Sequence, residues 1–123
     1  MVLKLNQRSP DMLQQMVRKT KMSSVLKRLG EQDVVLIDVL DPESYEKVHL
    51  KGAINIPMER LEDEIKDRVD PETPVITYGI DYECPVSKMA AEKLEEMGYK
   101  NVSYYAGGKK EWLEAQMPVD KKD

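Results

Sequence analysis

The sequence predicts a single α/β domain built on parallel strands, and two patterns carry that expectation. Short runs that read as strands, Val34 to Val39 (dominated by β-branched residues), Ala53 to Ile56, Val75 to Tyr78 and Val102 to Tyr105, alternate with segments whose apolar residues recur at helical spacing. Strands that alternate with helices pair in parallel through right-handed crossovers, which places helices on both faces of one sheet. The length of 123 residues suits one such unit.

Each element has local chemistry behind it. Ser9-Pro10-Asp11 has the signature of a helix start: a capping hydroxyl, proline at the first helical position, then an acid near the positive end. Met12, Leu13, Met16 and Val17 follow at helical spacing, so residues 1–20 are expected to form an N-terminal helical extension. A helix over Ser24 to Leu29 is expected to stop at Gly30. Asp41-Pro42-Glu43 opens a short helix reaching about Val48, and Lys51-Gly52 breaks the chain before the strand at Ala53. Met58, Leu61 and Ile65 mark one face of the next helix. Asp70-Pro71-Glu72-Thr73-Pro74 is a turn leading into Val75 to Tyr78, the best candidate for the central strand. Val86, Met89, Ala90, Leu94 and Met97 form a helical stripe ended by Gly98, and Gly107-Gly108 leads into a last helix holding Trp112 and Leu113. The compact unit is therefore expected over residues 21–119, with a charged tail at 120–123.

Composition narrows the function classes. Hydrophobic residues at 41% and charged residues at 34% fit a globular chain with a core. A net charge of −4 argues against nucleic acid, whose phosphates call for a clustered basic surface. No apolar run approaches the ~20 residues of a membrane span, and the first residues lack the apolar core of a secretory signal. A cytoplasmic location without membrane association is the expectation. The single cysteine, Cys84, excludes an internal disulfide and a cysteine-rich metal site, and no cofactor is implied.

Four stretches in order resemble one family, the rhodanese homology domain. They are Leu36-Ile37-Asp38-Val39 with Asp41-Pro42-Glu43-Ser44-Tyr45; His49-Leu50-Lys51-Gly52-Ala53-Ile54-Asn55-Ile56-Pro57; Val75-Ile76-Thr77-Tyr78; and Gly107-Gly108 with Trp112 and Pro118-Val119. The resemblance covers about a hundred residues. It implies a three-layer α/β/α domain with a central, mostly parallel five-stranded sheet. Asp38, His49, Gly52, Gly107 and Trp112 fall on its structural signatures. Asp38 is expected to accept hydrogen bonds from loop amides, and His49 to make structural hydrogen bonds. Gly52 and Gly107 are expected where a turn favours positive φ or close packing. Leu40 stands where the family usually has arginine, which removes one electrostatic partner.

In catalytic members, as the resemblance implies, a cysteine directly follows the third of these stretches. Its thiolate accepts a sulfane sulfur and passes it on as a persulfide, while loop amides and a helix N-terminus stabilise the anion. The corresponding loop here is Gly79-Ile80-Asp81-Tyr82-Glu83-Cys84, followed by Pro85. The alignment puts Gly79 at the nucleophile position, where there is no side chain to carry sulfur. Cys84 resembles a second loop cysteine found five residues later in one family subtype. A helix N-terminus would favour its thiolate, whereas Asp81 and Glu83 would disfavour it and repel anionic donors. Two readings result. Cys84 serves as a displaced nucleophile in a sulfurtransferase or persulfide carrier, with a small sulfur donor and acceptor. Alternatively, the domain is a catalytically inactive binding or regulatory module whose 79–84 loop meets a protein partner. Phosphatases related to the same fold use an arginine after the loop cysteine, and Pro85-Val86-Ser87-Lys88-Met89 offers none.

Overall fold

The computed structural model describes residues 17–122. Five strands, β1 (Arg18–Thr20), β2 (Val35–Asp38), β4 (Ile54–Asn55), β5 (Val75–Tyr78) and β6 (Val102–Tyr105), form one sheet in the order β1-β6-β5-β2-β4. Every pairing in it is parallel, with Val35 opposite Val75 and Val75 opposite Val102. A second, two-stranded sheet joins β3 (Val48–Leu50) to β7 (Val119–Lys121) in antiparallel register. The helices are α1 (Met22–Glu31), α2 (Pro42–Lys47), α3 (Leu61–Arg68, preceded by a 3₁₀ turn at Met58–Arg60), α4 (Val86–Glu96) and α5 (Gly108–Glu114).

Successive strand side chains point to opposite faces, and here that alternation sorts the core into two layers. Ile37 and Val39 from β2 and its end, Val75 from β5 and Val102 from β6 meet Leu61 and Ile65 of α3 and Ala90, Ala91 and Leu94 of α4. On the other face Leu36, Ile76, Tyr78 and Tyr105 meet Val25 of α1 and Trp112 of α5. Asp38 shares the parity of Leu36, so its carboxylate is carried into the second layer, where it is fully buried.

Several expectations move. The expected helix start at residues 9–16 lies outside the described residues, whereas Arg18–Thr20 is an edge strand paired to β6, so the sheet begins before residue 21. Helix α1 runs through Gly30 and stops at Gln32, which adopts a left-handed backbone (φ 57°) and donates its N–H to the Leu29 carbonyl at 3.1 Å. The buried stripe of α4 is Ser87, Ala90, Ala91 and Leu94, the i, i+3, i+4, i+7 pattern, which leaves Met89 exposed. Two of the expected tail residues, Asp120 and Lys121, belong to β7. The Asp41 cap does form: its carboxylate accepts the Ser44 N–H at 2.8 Å.

Candidate active site

The loop from Gly79 to Cys84 leaves the carboxyl end of β5 and leads into Pro85 and α4. In a parallel sheet the carboxyl ends of the central strands are where ligands bind. Helix α5 fixes the start of this loop: Lys109 N–H donates to the Gly79 carbonyl at 3.0 Å and Lys110 N–H to the Ile80 carbonyl at 2.8 Å. A trans peptide sets its N–H opposite its C=O. The amides of Ile80 and Asp81 therefore point away from α5.

Close approach of the two segments depends on Gly108. Its φ is +64°, and a Cβ there would lie 2.7 Å from the Gly79 oxygen and 2.8 Å from the Ile80 carbonyl carbon. Gly107 has an ordinary helical backbone (φ −62°), and it is closely packed: a Cβ on it would clash with the Glu111 side chain. Two successive glycines are thus constrained, Gly107 by a side chain and Gly108 by backbone. Gly52 does have positive φ, +80°, and its N–H donates to Asp120 at 3.0 Å.

The rest of the loop folds around Asp81. Its Oδ1 accepts the Glu83 N–H at 3.0 Å and the Cys84 N–H at 3.1 Å, while its carbonyl accepts the Cys84 N–H at 3.2 Å. This is an Asx turn, in which an aspartate supplies acceptors that the turning backbone needs. Cys84 is partly buried, with a free thiol. A Cβ on Gly79 would stand 3.5 Å from the Cys84 Sγ, 3.8 Å from the Ser87 N–H nitrogen in the first turn of α4 and 2.8 Å from Val86 Cγ1. The sulfur of Cys84 thus borders the volume that a side chain at position 79 would enter. Ile80 and Tyr82 are exposed beside it. A hollow of about 290 Å³ adjoins the loop, lined by Asp81, Tyr82, Glu83, Lys110, Glu111 and Glu114 with Gly107. Glu111 is held by two phenols, accepting from Tyr82 at 3.0 Å and from Tyr105 at 2.6 Å. Carboxylate contact keeps the Tyr82 hydroxyl above its usual value, while burial, reinforced by Glu111, does the same for Tyr105.

Beneath the loop lies a buried polar network. Asp38 accepts the Leu40 N–H at 2.9 Å and the Tyr78 hydroxyl at 2.9 Å, and the same hydroxyl accepts the Leu50 N–H at 3.1 Å. Lys109, 4% exposed, donates to the carbonyl and hydroxyl of Ser44 at 2.9 and 2.8 Å and stands 4.0 Å from Asp38. Burial pushes the Asp38 carboxyl up, opposed by its hydrogen bonds and by Lys109. Burial pushes the Lys109 ammonium down, opposed by Asp38 and Asp41. Burial first, and then Asp38, pushes the Tyr78 phenol far above its usual range. A cation therefore does face Asp38, although Leu40 lacks one; it arrives from α5.

The remaining signature residues support the frame. His49 donates from Nδ1 to the Tyr45 carbonyl at 2.8 Å and stacks on the Tyr45 ring, centroids 3.7 Å apart. Its Nε2 lies 3.7 Å from Asp120. Trp112 is fully buried and donates to the Pro118 carbonyl at 2.7 Å. Sequence reasoning missed Lys109 and Glu111. Lys109 was legible in one respect: three residues before a buried Trp112 on a helix, it shares that residue's face. A larger hollow of about 540 Å³ beside Leu29, Val34, Gly52 and Pro118 borders segments that precede β2, β4 and β7 and contains none of the loop residues. No helix among the described residues is long and apolar enough to cross a membrane.

A parallel five-stranded sheet, helices on both faces and a loop clasped between β5 and α5 define a class. The family model for the rhodanese-like domain matches residues 21–115, and the chain belongs to that family. Among curated relatives, the thiosulfate sulfurtransferase GlpE of Coxiella burnetii is 35% identical over 82 residues, covering 67% of this chain and 74% of the relative. The thiosulfate sulfurtransferase PspE of Escherichia coli is 38% identical over 78 residues, covering 61% and 70%. Among solved structures, the Alr3790 protein from Anabaena sp. superposes with a TM-score of 0.77 at 25% identity, covering 84% of this chain and 80% of that one.

Proposed function

We propose that this domain is a sulfurtransferase or persulfide carrier in which Cys84 holds the sulfur. The observation that carries this reading is the 3.5 Å between the Cys84 Sγ and the Cβ position of residue 79, where the family resemblance places the nucleophile. A sulfur that reaches this volume from position 84 lies near the first turn of α4, whose N-terminal amides and dipole favour an anion. The Ile80 and Asp81 amides, turned away from α5, add donors at the start of the loop. The relatives' names point to the same chemistry.

The step is simple to balance. The Cys84 thiolate attacks the outer sulfur of a persulfide donor, R–S–SH; the donor's S–S bond breaks, R–S⁻ leaves with the electron pair, and Cys84 becomes Cys84–S–SH. A thiol acceptor then takes the outer sulfur by the same exchange. Intact-mass measurement after incubation with a low-molecular-weight persulfide should show a gain of one sulfur atom, absent in Cys84→Ser. Absence of that adduct with persulfide and thiosulfate alike would sink the reading.

A second reading, a catalytically silent binding module, is favoured by one observation: the Asp81 carboxylate already occupies two loop amides. It calls for a partner whose binding depends on Ile80 and Tyr82 and survives Cys84→Ser. Efficient turnover by the wild type would count against it.

A further inference from the structure

We propose that Lys109 is a positioning residue for the 79–84 loop: its buried ammonium fixes the first turn of α5, and that turn fixes the peptide at which the loop leaves β5. Its part in sulfur transfer rests on the sulfur-carrier reading above; its hold on the loop does not. At the start of α5, Gly108 has no side chain and Lys110 is exposed, so within residues 108–110 only Lys109 reaches into the fold. Its Nζ donates to the Ser44 carbonyl and hydroxyl at 2.9 and 2.8 Å and stands 4.0 Å from the Asp38 carboxylate. The N–H groups of Lys109 and Lys110 belong to the first turn of the helix, where no intrahelical acceptor exists. They go instead to the Gly79 and Ile80 carbonyls, at 3.0 and 2.8 Å. A circuit of contacts therefore closes on Gly79. The Tyr78 hydroxyl meets Asp38 at 2.9 Å, Asp38 faces the Lys109 ammonium, and the Lys109 N–H returns to the Gly79 carbonyl.

Stability alone gives no reason for a cation at this point. Taking two charges out of water is costly, and apolar side chains of similar volume commonly match or better a buried ion pair. A methionine would fill the same space, but dispersion contacts favour no particular direction. An ammonium held by a carbonyl, a hydroxyl and a carboxylate leaves the turn that carries it little freedom to rotate. Rotation of that turn would swing the Gly79 carbonyl. It would swing the Ile80 N–H as well, because a trans peptide holds the two opposed. Misplacement on the order of 1 Å is enough to slow a reaction severely.

Lys109→Met combined with Asp38→Asn separates positioning from stability. The pair of changes removes both buried charges together, and asparagine keeps an acceptor for the Leu40 N–H. Tyr99→Phe is the control for lost stability, since it removes a buried hydrogen bond to the Val69 carbonyl in the opposite layer of the core. Two quantities are read beside urea denaturation: hydrogen exchange at the Lys110 amide, and the single-turnover rate of sulfur uptake by Cys84 from an alkyl persulfide. In Lys109→Met the Lys110 amide should exchange roughly fivefold faster, the fold-change equivalent to one hydrogen bond's net contribution. Sulfur uptake at saturating donor should fall roughly tenfold, with the half-saturating concentration changed by less than about twofold. Adding Asp38→Asn should restore part of the lost stability and neither of these quantities. Tyr99→Phe should leave both within about twofold of wild type. Exchange and uptake that recover with stability in the double variant, or that move equally in Tyr99→Phe, overturn the assignment and leave Lys109 a purely structural role. If the wild type takes up no sulfur, the sulfur-carrier reading fails, and exchange at Lys110 then decides by itself whether Lys109 positions the loop.

Discussion

Gly108→Ala tests how tightly α5 clasps the loop. The substitution places a Cβ on a backbone at φ +64° and 2.7 Å from the Gly79 oxygen, where ordinary contact begins at 3.4 Å. The neighbour is backbone, so no side chain can swing aside; the loop must retreat by about 0.7 Å, the difference of those two distances. Left-handed backbone costs a residue with a Cβ about 1–2 kcal/mol. Retreat stretches the Lys109 N–H to Gly79 and Lys110 N–H to Ile80 bonds, 3.0 and 2.8 Å in the wild type, each contributing about 1 kcal/mol. The expected loss is about 2–4 kcal/mol, or roughly 8–16 °C in Tm for a domain of this size. Urea denaturation with thermal melting measures it. Gly98→Ala is the control, because Gly98 also has positive φ (+99°) but nothing within 4 Å of the added Cβ. It should lose only the strain component. If Gly108→Ala and Gly98→Ala cost the same, the clasp contributes nothing and the reasoning fails.

Three further outcomes are expected. Lys109→Met should cost about 2–4 kcal/mol in urea denaturation, because Asp38 keeps its burial and loses its cation while two Ser44 acceptors lose their donor. Adding Asp38→Asn should cost less than the sum of the two single changes. The second outcome concerns pH. Burial raises the Asp38 carboxyl above its ordinary 3.8, so just above that pH the folded state keeps a proton that the unfolded chain has released. This group makes stability greatest below 3.8 and lets it fall as pH rises through the folded value. Asp38→Asn removes that falling component, so its stability should rise more steeply than the wild type's as pH is raised from 3.8; parallel curves would contradict a raised Asp38. Finally, Gly79→Cys should confer thiosulfate sulfurtransferase activity well above wild type, at a stability cost of about 1 kcal/mol from the 2.8 Å approach to Val86. Its thiol should also pair with Cys84 on oxidation, read as loss of both free thiols, given the 3.5 Å between that Cβ and the Cys84 Sγ.

Local pattern was enough for the sheet's middle. Val75–Tyr78 and Val102–Tyr105 were legible because short runs rich in β-branched and aromatic residues bounded by turn signals leave few alternatives. Arg18–Thr20 was not, since Arg-Lys-Thr has no apolar alternation and is a strand only because β6 offers an edge. Residues 119–121 were read partly as tail for the same reason, their pairing with Val48–Leu50 lying some seventy positions away in sequence. The loop itself was legible as a segment: its bounds, its single cysteine and its two acids could all be counted.

The sequence by itself determined the α/β class, the family resemblance and the identity of the loop residues, because all three depend on residue types at short range. Only the tertiary structure decided which groups meet. It brought the Cys84 sulfur to the space beside Gly79, gave the Asp81 carboxylate to the loop amides and set Gly108 against the backbone of Gly79 and Ile80. It also supplied Asp38 with a lysine from seventy-one residues downstream rather than an arginine two residues away. The reason is physical: a buried charge is satisfied by whichever partner the packed helices deliver, and that delivery depends on crossovers that no local spacing encodes.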